Sequence, residues 1–212
     1  MQKLTEKLMQ SNLRSVFTAV DVDNLLRSAS NSKRYALVKR ALAASEIVRI
    51  RRGLYVLAEP FRRGKIDLFC LAARIYGPAY LSLESALSVH GWIPERVVAV
   101  TSGVFKRSAS FATPLGRFEY SKTPFRSLVG VERVAAADEE AFLLASPLRA
   151  LADLAHDRRM PEMGSRYLIN SLRIEPQLLE RLDTESFDLL LSEVDRGAAR
   201  RFLLTLREEL GR

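Results

Sequence analysis

Between Ser32 and Leu57 the chain changes its hydrophobic period from that of a helix to that of a strand, with almost nothing in between. Over Ser32–Glu46 the apolar positions Leu37, Val38, Ala41 and Leu42 fall on one helical stripe. The opposite face holds Ser32, Lys33, Ala36, Lys39, Arg40 and Ala43. Its small residues let that face approach a surface closely, and its three cations favour a polyanionic one. From Ile47 onward the pattern alternates. Val48 and Ile50 interleave with Arg49 and Arg51, and Leu54 and Val56 interleave with Tyr55 and Leu57, which predicts two short strands. Gly53 supplies the permissive backbone for a tight turn between them. A basic helix running straight into a basic hairpin predicts a winged helix-turn-helix.

The preceding residues fit that motif. Leu4 and Leu8, with Lys3, Glu6 and Lys7 outside, predict a first short helix. Phe17-Thr18-Ala19-Val20-Asp21 predicts a helix start in which Thr18 caps and Asp21 answers three residues later. That helix runs to about Arg27 with Val22, Leu25 and Leu26 inward, and Ser30 or Asn31 caps the next one after a four-residue turn. Charge is concentrated in the same segment. Residues 1–63 carry 13 Lys/Arg against 5 Asp/Glu, whereas the remainder carries 20 of each, so the whole net charge of +8 lies in the first third. A basic excess that coincides with a helix-turn-helix pattern points to nucleic acid.

Composition narrows the class. At 48% hydrophobic the chain can bury a core. No apolar run approaches the roughly 20 residues that span a bilayer, and Met1–Lys7 has no apolar signal region, so no membrane association is expected and a cytoplasmic location is. Cys70, the sole cysteine, lies in an apolar run and reads as core.

Beyond the hairpin, which ends near Pro60, Phe61–Lys65 reads as a basic connector that either touches DNA phosphate or is a solvated linker. Ile66–Tyr76 predicts an apolar helix stopped by Gly77-Pro78, Ala79–Ser82 a strand, and Leu83–His90 a helix capped by Ser82 or Ser85 and ended by Gly91. Strands are predicted at Val97–Thr101, Ser108–Phe111, Gly116–Tyr120, Leu128–Val134 and Glu140–Leu144. Ser146-Pro147 opens a helix with Leu148, Leu151, Ala152 and Ala155 inward. Met160-Pro161 breaks it, and the rest is helical, with Leu182, Phe187, Leu190, Leu191 and Val194 as core. The expected class is α+β: a winged helix-turn-helix at 1–60, an α+β domain with a mixed or antiparallel sheet at 61–160, and a helical C-terminal extension at 161–212.

Catalytic chemistry has few candidates. His90 and His156, the two histidines, each end a predicted helix, and no metal-ligand spacing, phosphate loop or nucleophile elbow is present. Asp138-Glu139-Glu140 reads as a solvated turn. Asp153 with Asp157, or Glu139 with Glu140, are the carboxylate pairs a nuclease would use, with Lys122 as its nearest lysine. Trp92 reads as core or a domain contact. We expect no enzymatic role, cofactor or metal.

Three blocks resemble the AbiEi family, the antitoxins and autorepressors of bacterial type IV toxin–antitoxin (abortive infection) systems. The first runs from Phe17-Thr18-Ala19 to the arginine-rich ending Ile47–Tyr55, similar to that family's wing. The second, Ala79–Trp92, resembles its Leu-Ser-x-x-Ser-Ala-Leu-x-x-His-Gly run. The third, Phe142–Leu154, is similar to its Ala-x-Pro-x-Arg-Ala-Leu-x-Asp segment. Ser121-Lys122-Thr123 departs from the bulkier or histidine-containing residues expected there. The resemblance implies a winged-helix DNA-binding domain followed by an α+β antitoxin domain, binding to inverted repeats upstream of a two-gene operon, and a nucleotidyltransferase toxin as functional partner, which need not be bound directly.

The sequence reading is therefore a transcriptional repressor whose partner is double-stranded operator DNA, with the choice between monomer and homodimer on that DNA left open. Lys33, Lys39 and Arg40 face the major groove, Ser32 and Ala36 permit close approach, Tyr35 flanks the contact, and Arg49, Arg51 and Arg52 lie on the hairpin. Its rivals are an interaction module that neutralises a toxin directly and a nuclease-like domain.

Overall fold

The computed structural model describes residues 1–94, 98–136, 140–160 and 163–212. Val97, Asp138, Glu139 and Pro161, on which parts of the sequence reading fall, lie outside the described residues. The protein is α+β and divides into two compact units, one of Met1–Leu71 with Thr113–Leu115, the other of Ala72–Ala112 with Gly116–Arg212.

The first unit runs α1 (Lys3–Gln10), β1 (Val16–Thr18), α2 (Ala19–Leu25), α3 (Asn31–Ala43), β2 (Ile47–Arg51) and β3 (Leu54–Leu57), followed by one 3-10 turn, Glu59–Phe61. Its three strands form an antiparallel sheet in the order β1-β3-β2. β1 occupies residues that the sequence assigns only to a helix start. Thr18 serves both elements: it ends the strand opposite Leu54 and caps α2, its hydroxyl accepting from the Asp21 amide while the Asp21 carboxylate accepts from Thr18 N. Adding β1 makes β3 the central strand. Leu54, Tyr55, Val56 and Leu57 are consequently all buried, in place of the predicted alternation. One core cluster joins Leu4 and Leu8 of α1, Phe17, Val22, Leu37 and Ala41 of the helices and sheet, and Ile47, Tyr55 and Leu57 of the hairpin.

Glu46, at the turn between α3 and β2, fastens the start of α1. It is 8% exposed, and its two carboxylate oxygens accept from the Gln2 amide at 3.0 and 2.7 Å. The Thr5 hydroxyl and the Gln2 amide beside it hold its carboxyl below the usual carboxylate range. A depressed folded-state pKa contributes stability that is complete above the unfolded-state value and disappears as pH falls through the folded one. Stability of the first unit should therefore drop on acidification through the carboxylate range, and Glu46→Gln should flatten that dependence. Urea midpoints measured against pH for both proteins check this; parallel curves would contradict it.

The helix after the connector, α4 (Leu68–Tyr76), starts at Asp67, whose carboxylate accepts from the Phe69 and Cys70 amides. The second unit then continues β4 (Ala79–Leu81), α5 (Leu83–Val89), β5 (Ala99–Val104), β6 (Ala109–Thr113), β7 (Gly116–Lys122), β8 (Val131–Ala135), β9 (Ala141–Ala145) and α6 (Pro147–Asp157). Its sheet is mixed, ordered β6-β7-β5-β4-β9-β8, with β5 parallel to β7 and β4 parallel to β9. Val98, predicted to be buried in a strand, is 95% exposed and precedes β5. Residues 163–212 form α7 (Ser165–Ser171), α8 (Pro176–Glu180), α9 (Thr184–Ser192) and α10 (Ala198–Glu209), of which α9 and α10 pack on α6. Phe187, Leu190 and Val194 are buried there, while Leu191 is half-buried.

Candidate nucleic-acid interface

α3 begins where Ser30 caps it, its hydroxyl accepting from the Lys33 amide at 3.4 Å. Leu37 and Ala41 bury its inner face, with Val38 and Leu42 half-buried beside them. Ser32, Lys33, Lys39, Arg40 and Ala43 are exposed on the outer side and Ala36 is half-buried. Tyr35 is 71% exposed, a large aromatic ring left in water.

The hairpin carries the other cations. Gly53 closes its turn at φ +77, a conformation that disfavours any side chain. The Gly53 carbonyl accepts from the Ala19 amide at 2.9 Å, which ties the hairpin tip to the start of α2. Arg51 and Arg52 are exposed at that tip. Arg49 is exposed too, its guanidinium 6.0 Å from the Tyr55 ring centroid, where the ring face attracts it. The pairing register shifts between Arg49 and Arg51. That bulge puts Ile47 and Ile50, three apart, in the buried set and leaves Val48 half-buried, so the predicted strict alternation of β2 is broken. α3 and the hairpin are anchored in the same cluster, through Leu37 and Ala41 on one side and Ile47, Tyr55 and Leu57 on the other.

Three nearby arginines have a different job. Arg34 donates from Nε to the Leu26 carbonyl at 3.1 Å and from Nη2 to the Arg27 carbonyl at 3.0 Å, with Asp23 Oδ1 3.4 Å from Nη1. These carbonyls end α2, where a cation also meets the negative end of the helix dipole. The side chain thus clamps the α2–α3 turn from the first turn of α3. The connector arginines fold back as well: Arg62 donates to Leu57 O, and Arg63 to the carbonyls of Met9 and Ser11. Of the connector, Arg63, Gly64 and Lys65 are exposed, while the guanidinium groups of Arg62 and Arg63 are held on these carbonyls. Sequence reasoning missed Arg34 because its acceptors lie seven and eight residues upstream, across a turn of unknown angle. Arg34→Ala should lower the urea stability of the first unit by about 1 kcal/mol, the net worth of a part-buried hydrogen bond such as that to Leu26 O. Unchanged unfolding would remove the clamp from this account.

Of the carboxylates weighed for a nuclease, Asp153 and Asp157 are committed to different partners. Asp153, on α6, is 3% exposed. Its Oδ2 accepts from the hydroxyls of Tyr80 and Ser82, both at 2.8 Å, and from Arg149 Nε at 3.4 Å; its Oδ1 accepts from Thr123 at 2.9 Å. Arg149 is fully buried and also donates to Val129 O, Tyr80 Oη and Thr123 Oγ1. Its guanidinium lies 3.8 Å from the Phe125 ring centroid. Burial pushes the Tyr80 phenol well above its ordinary value. Asp157 is exposed and accepts from the Ser121 hydroxyl. Ser82, expected as a side-chain cap of α5, makes no such bond because its hydroxyl is given to Asp153; Ser85 instead exchanges hydrogen bonds with Thr101. His90 caps the end of α5 and holds the Ala145 carbonyl at 2.9 Å, and Trp92 is buried. Among the described residues no three His, Cys, Asp or Glu side chains are grouped to hold a metal ion, and no helix is long and apolar enough to cross a membrane. Compared with family models and with curated proteins, the chain finds no match in either.

Proposed function

We propose that the protein is a sequence-specific DNA-binding repressor, with the first unit as a winged helix-turn-helix and α3 as its recognition helix. The observation that carries the reading is the division of labour on α3: Lys33, Lys39 and Arg40 stand exposed on the outer side while Arg34 is spent on the turn. Support also comes from the order helix, strand, helix, helix, strand, strand, in which the last two strands make a basic hairpin beside the second helix of the pair. In this reading Lys33, Lys39 and Arg40 enter the major groove, with Ser32 and Ala36 small enough to let the helix close on base edges. Arg49, Arg51 and Arg52 meet phosphate or the minor groove, and Tyr35 touches the sugar-phosphate backbone. The further assignments rest on the resemblance of the three sequence blocks to AbiEi: repression of the protein's own operon through inverted repeats, a second unit acting as antitoxin, and a nucleotidyltransferase toxin as the functional partner. Titration of the full chain against the duplex upstream of its own gene and against a shuffled duplex tests the DNA reading. The expected result is preferential binding upstream; equal affinity for both duplexes would reduce the activity to non-specific binding.

A further inference from the structure

Asn31 has no part in the interface assigned to DNA, yet it stands beside it. It is the first residue of α3, is exposed, and lies at the mouth of a cleft between α2 and α3 that Val22, Arg34, Tyr35 and Val38 also line. Ser32 and Lys33, next along the chain, are exposed too and belong to the proposed contact. A recognition helix meets base edges with its N-terminal residues, so Asn31 lies where sequence is read. A free amide can offer a base its oxygen, which accepts, or its nitrogen, which donates. Arg34 removes that ambiguity. Its guanidinium is fixed by the Leu26 and Arg27 carbonyls, and its Nη1 lies 3.4 Å from Asn31 Oδ1. A guanidinium has donors only, so the amide turns its oxygen inward to it. Nδ2 is then the outer end, and among the described residues it has no hydrogen-bond partner.

We propose that Asn31 is a specificity-determining residue that reads guanine, its Nδ2 donating to O6 or N7 in the major groove. Guanine shows two acceptors and no donor there, whereas adenine and cytosine each present an amino group that meets the amide donors head on. Adenine, the usual partner of asparagine, needs the amide oxygen as well, and Arg34 holds that oxygen. Thymine offers a single acceptor with a methyl group beside it. Arg34 therefore has two effects from one position: it clamps the α2–α3 turn, and it sets the polarity that Asn31 shows to a base. The inference rests on the reading of α3 as a recognition helix and adds to it a base and the atom that selects it.

Titration of the full chain against its upstream duplex, and against copies in which each base pair is replaced in turn, tests it. The unaltered protein should lose about tenfold in affinity when one particular G·C pair is replaced, and Asn31→Ala less than about twofold at the same pair. At every other pair, and in salt dependence, Asn31→Ala should follow the unaltered protein. Asn31→Asp keeps one oxygen toward Arg34 and turns the other outward as an acceptor. Its preference at that pair should pass to cytosine or adenine, whose amino groups donate. An Asn31→Ala protein that loses affinity evenly for every duplex, with a shallower salt slope, has lost a phosphate contact and overturns the proposal. So does one that discriminates at every pair as the unaltered chain does, or an Asn31→Asp protein that still prefers guanine. Equal affinity of the unaltered chain for its upstream duplex and a shuffled one removes the DNA reading itself, and this assignment with it; in the other outcomes that reading stands and the role of Asn31 alone is decided.

Discussion

Replacing Asp153 with alanine is expected to destabilise the second unit by about 3–5 kcal/mol, the usual cost of leaving a buried charge without its partner. Arg149 cannot escape to water, since it is fully buried within α6. The hydroxyls of Tyr80, Ser82 and Thr123 lose the carboxylate they donate to at the same moment. The double replacement Arg149→Met with Asp153→Leu should recover most of the loss, because removing both charges leaves neither one stranded. Thermal unfolding of the three proteins measures it, and a single Asp153→Ala protein that melts like the unaltered chain would show that the pair is not what braces β4, β7 and α6. The result also bears on the nuclease alternative, for a carboxylate taken up by three hydroxyls and a guanidinium has little left to offer a metal.

The second large effect is expected on α3. Lys33→Ala, Lys39→Ala and Arg40→Ala combined should abolish detectable operator binding, with single changes at Lys39 or Arg40 costing roughly 1–3 kcal/mol where the side chain reads a base. All three positions are exposed, so thermal stability should stay within about 0.5 kcal/mol of the unaltered protein. That separation distinguishes them from Arg34, whose loss should weaken folding and DNA binding together. Operator titration alongside thermal unfolding reads both quantities. A triple variant that still binds with full affinity would move the contact elsewhere.

The sequence made some of these features legible for identifiable reasons. α3 and the hairpin stood out because the apolar period switches from helical to alternating within a few residues, and Thr18 with Asp21 announces α2 locally. β1 did not stand out: three residues carry no period, and the capping signal of Thr18 overlies them. With β1 unseen, β3 read as an alternating strand, although as the central one it is buried throughout. Ser82 shows the same limit, since a local rule makes it a cap, whereas its hydroxyl bonds a carboxylate on a helix 71 residues away. Arg149 and Asp153 lie four apart on a helix whose inner stripe was assigned to Leu148, Leu151, Ala152 and Ala155. Nothing local indicates that charged side chains are buried there, because the groups that satisfy them come from β4, the strands' connections and Thr123. Thr123 itself belongs to the stretch that departs from the AbiEi pattern, and it is one of the two residues bonded to both members of the pair. On the interface, charge and exposure were readable residue by residue, while the use of Arg34, Arg62 and Arg63 on backbone carbonyls required the turn geometry.

Salt dependence of operator binding tests the central claim most directly. If about six cations of the first unit, Arg49, Arg51 and Arg52 among them, meet phosphate, log K against log salt concentration should fall with a slope near −5, and each alanine at a phosphate-contacting position should make it shallower by about one. A slope near zero, or one that these substitutions leave unchanged, would contradict the assignment of this surface to DNA.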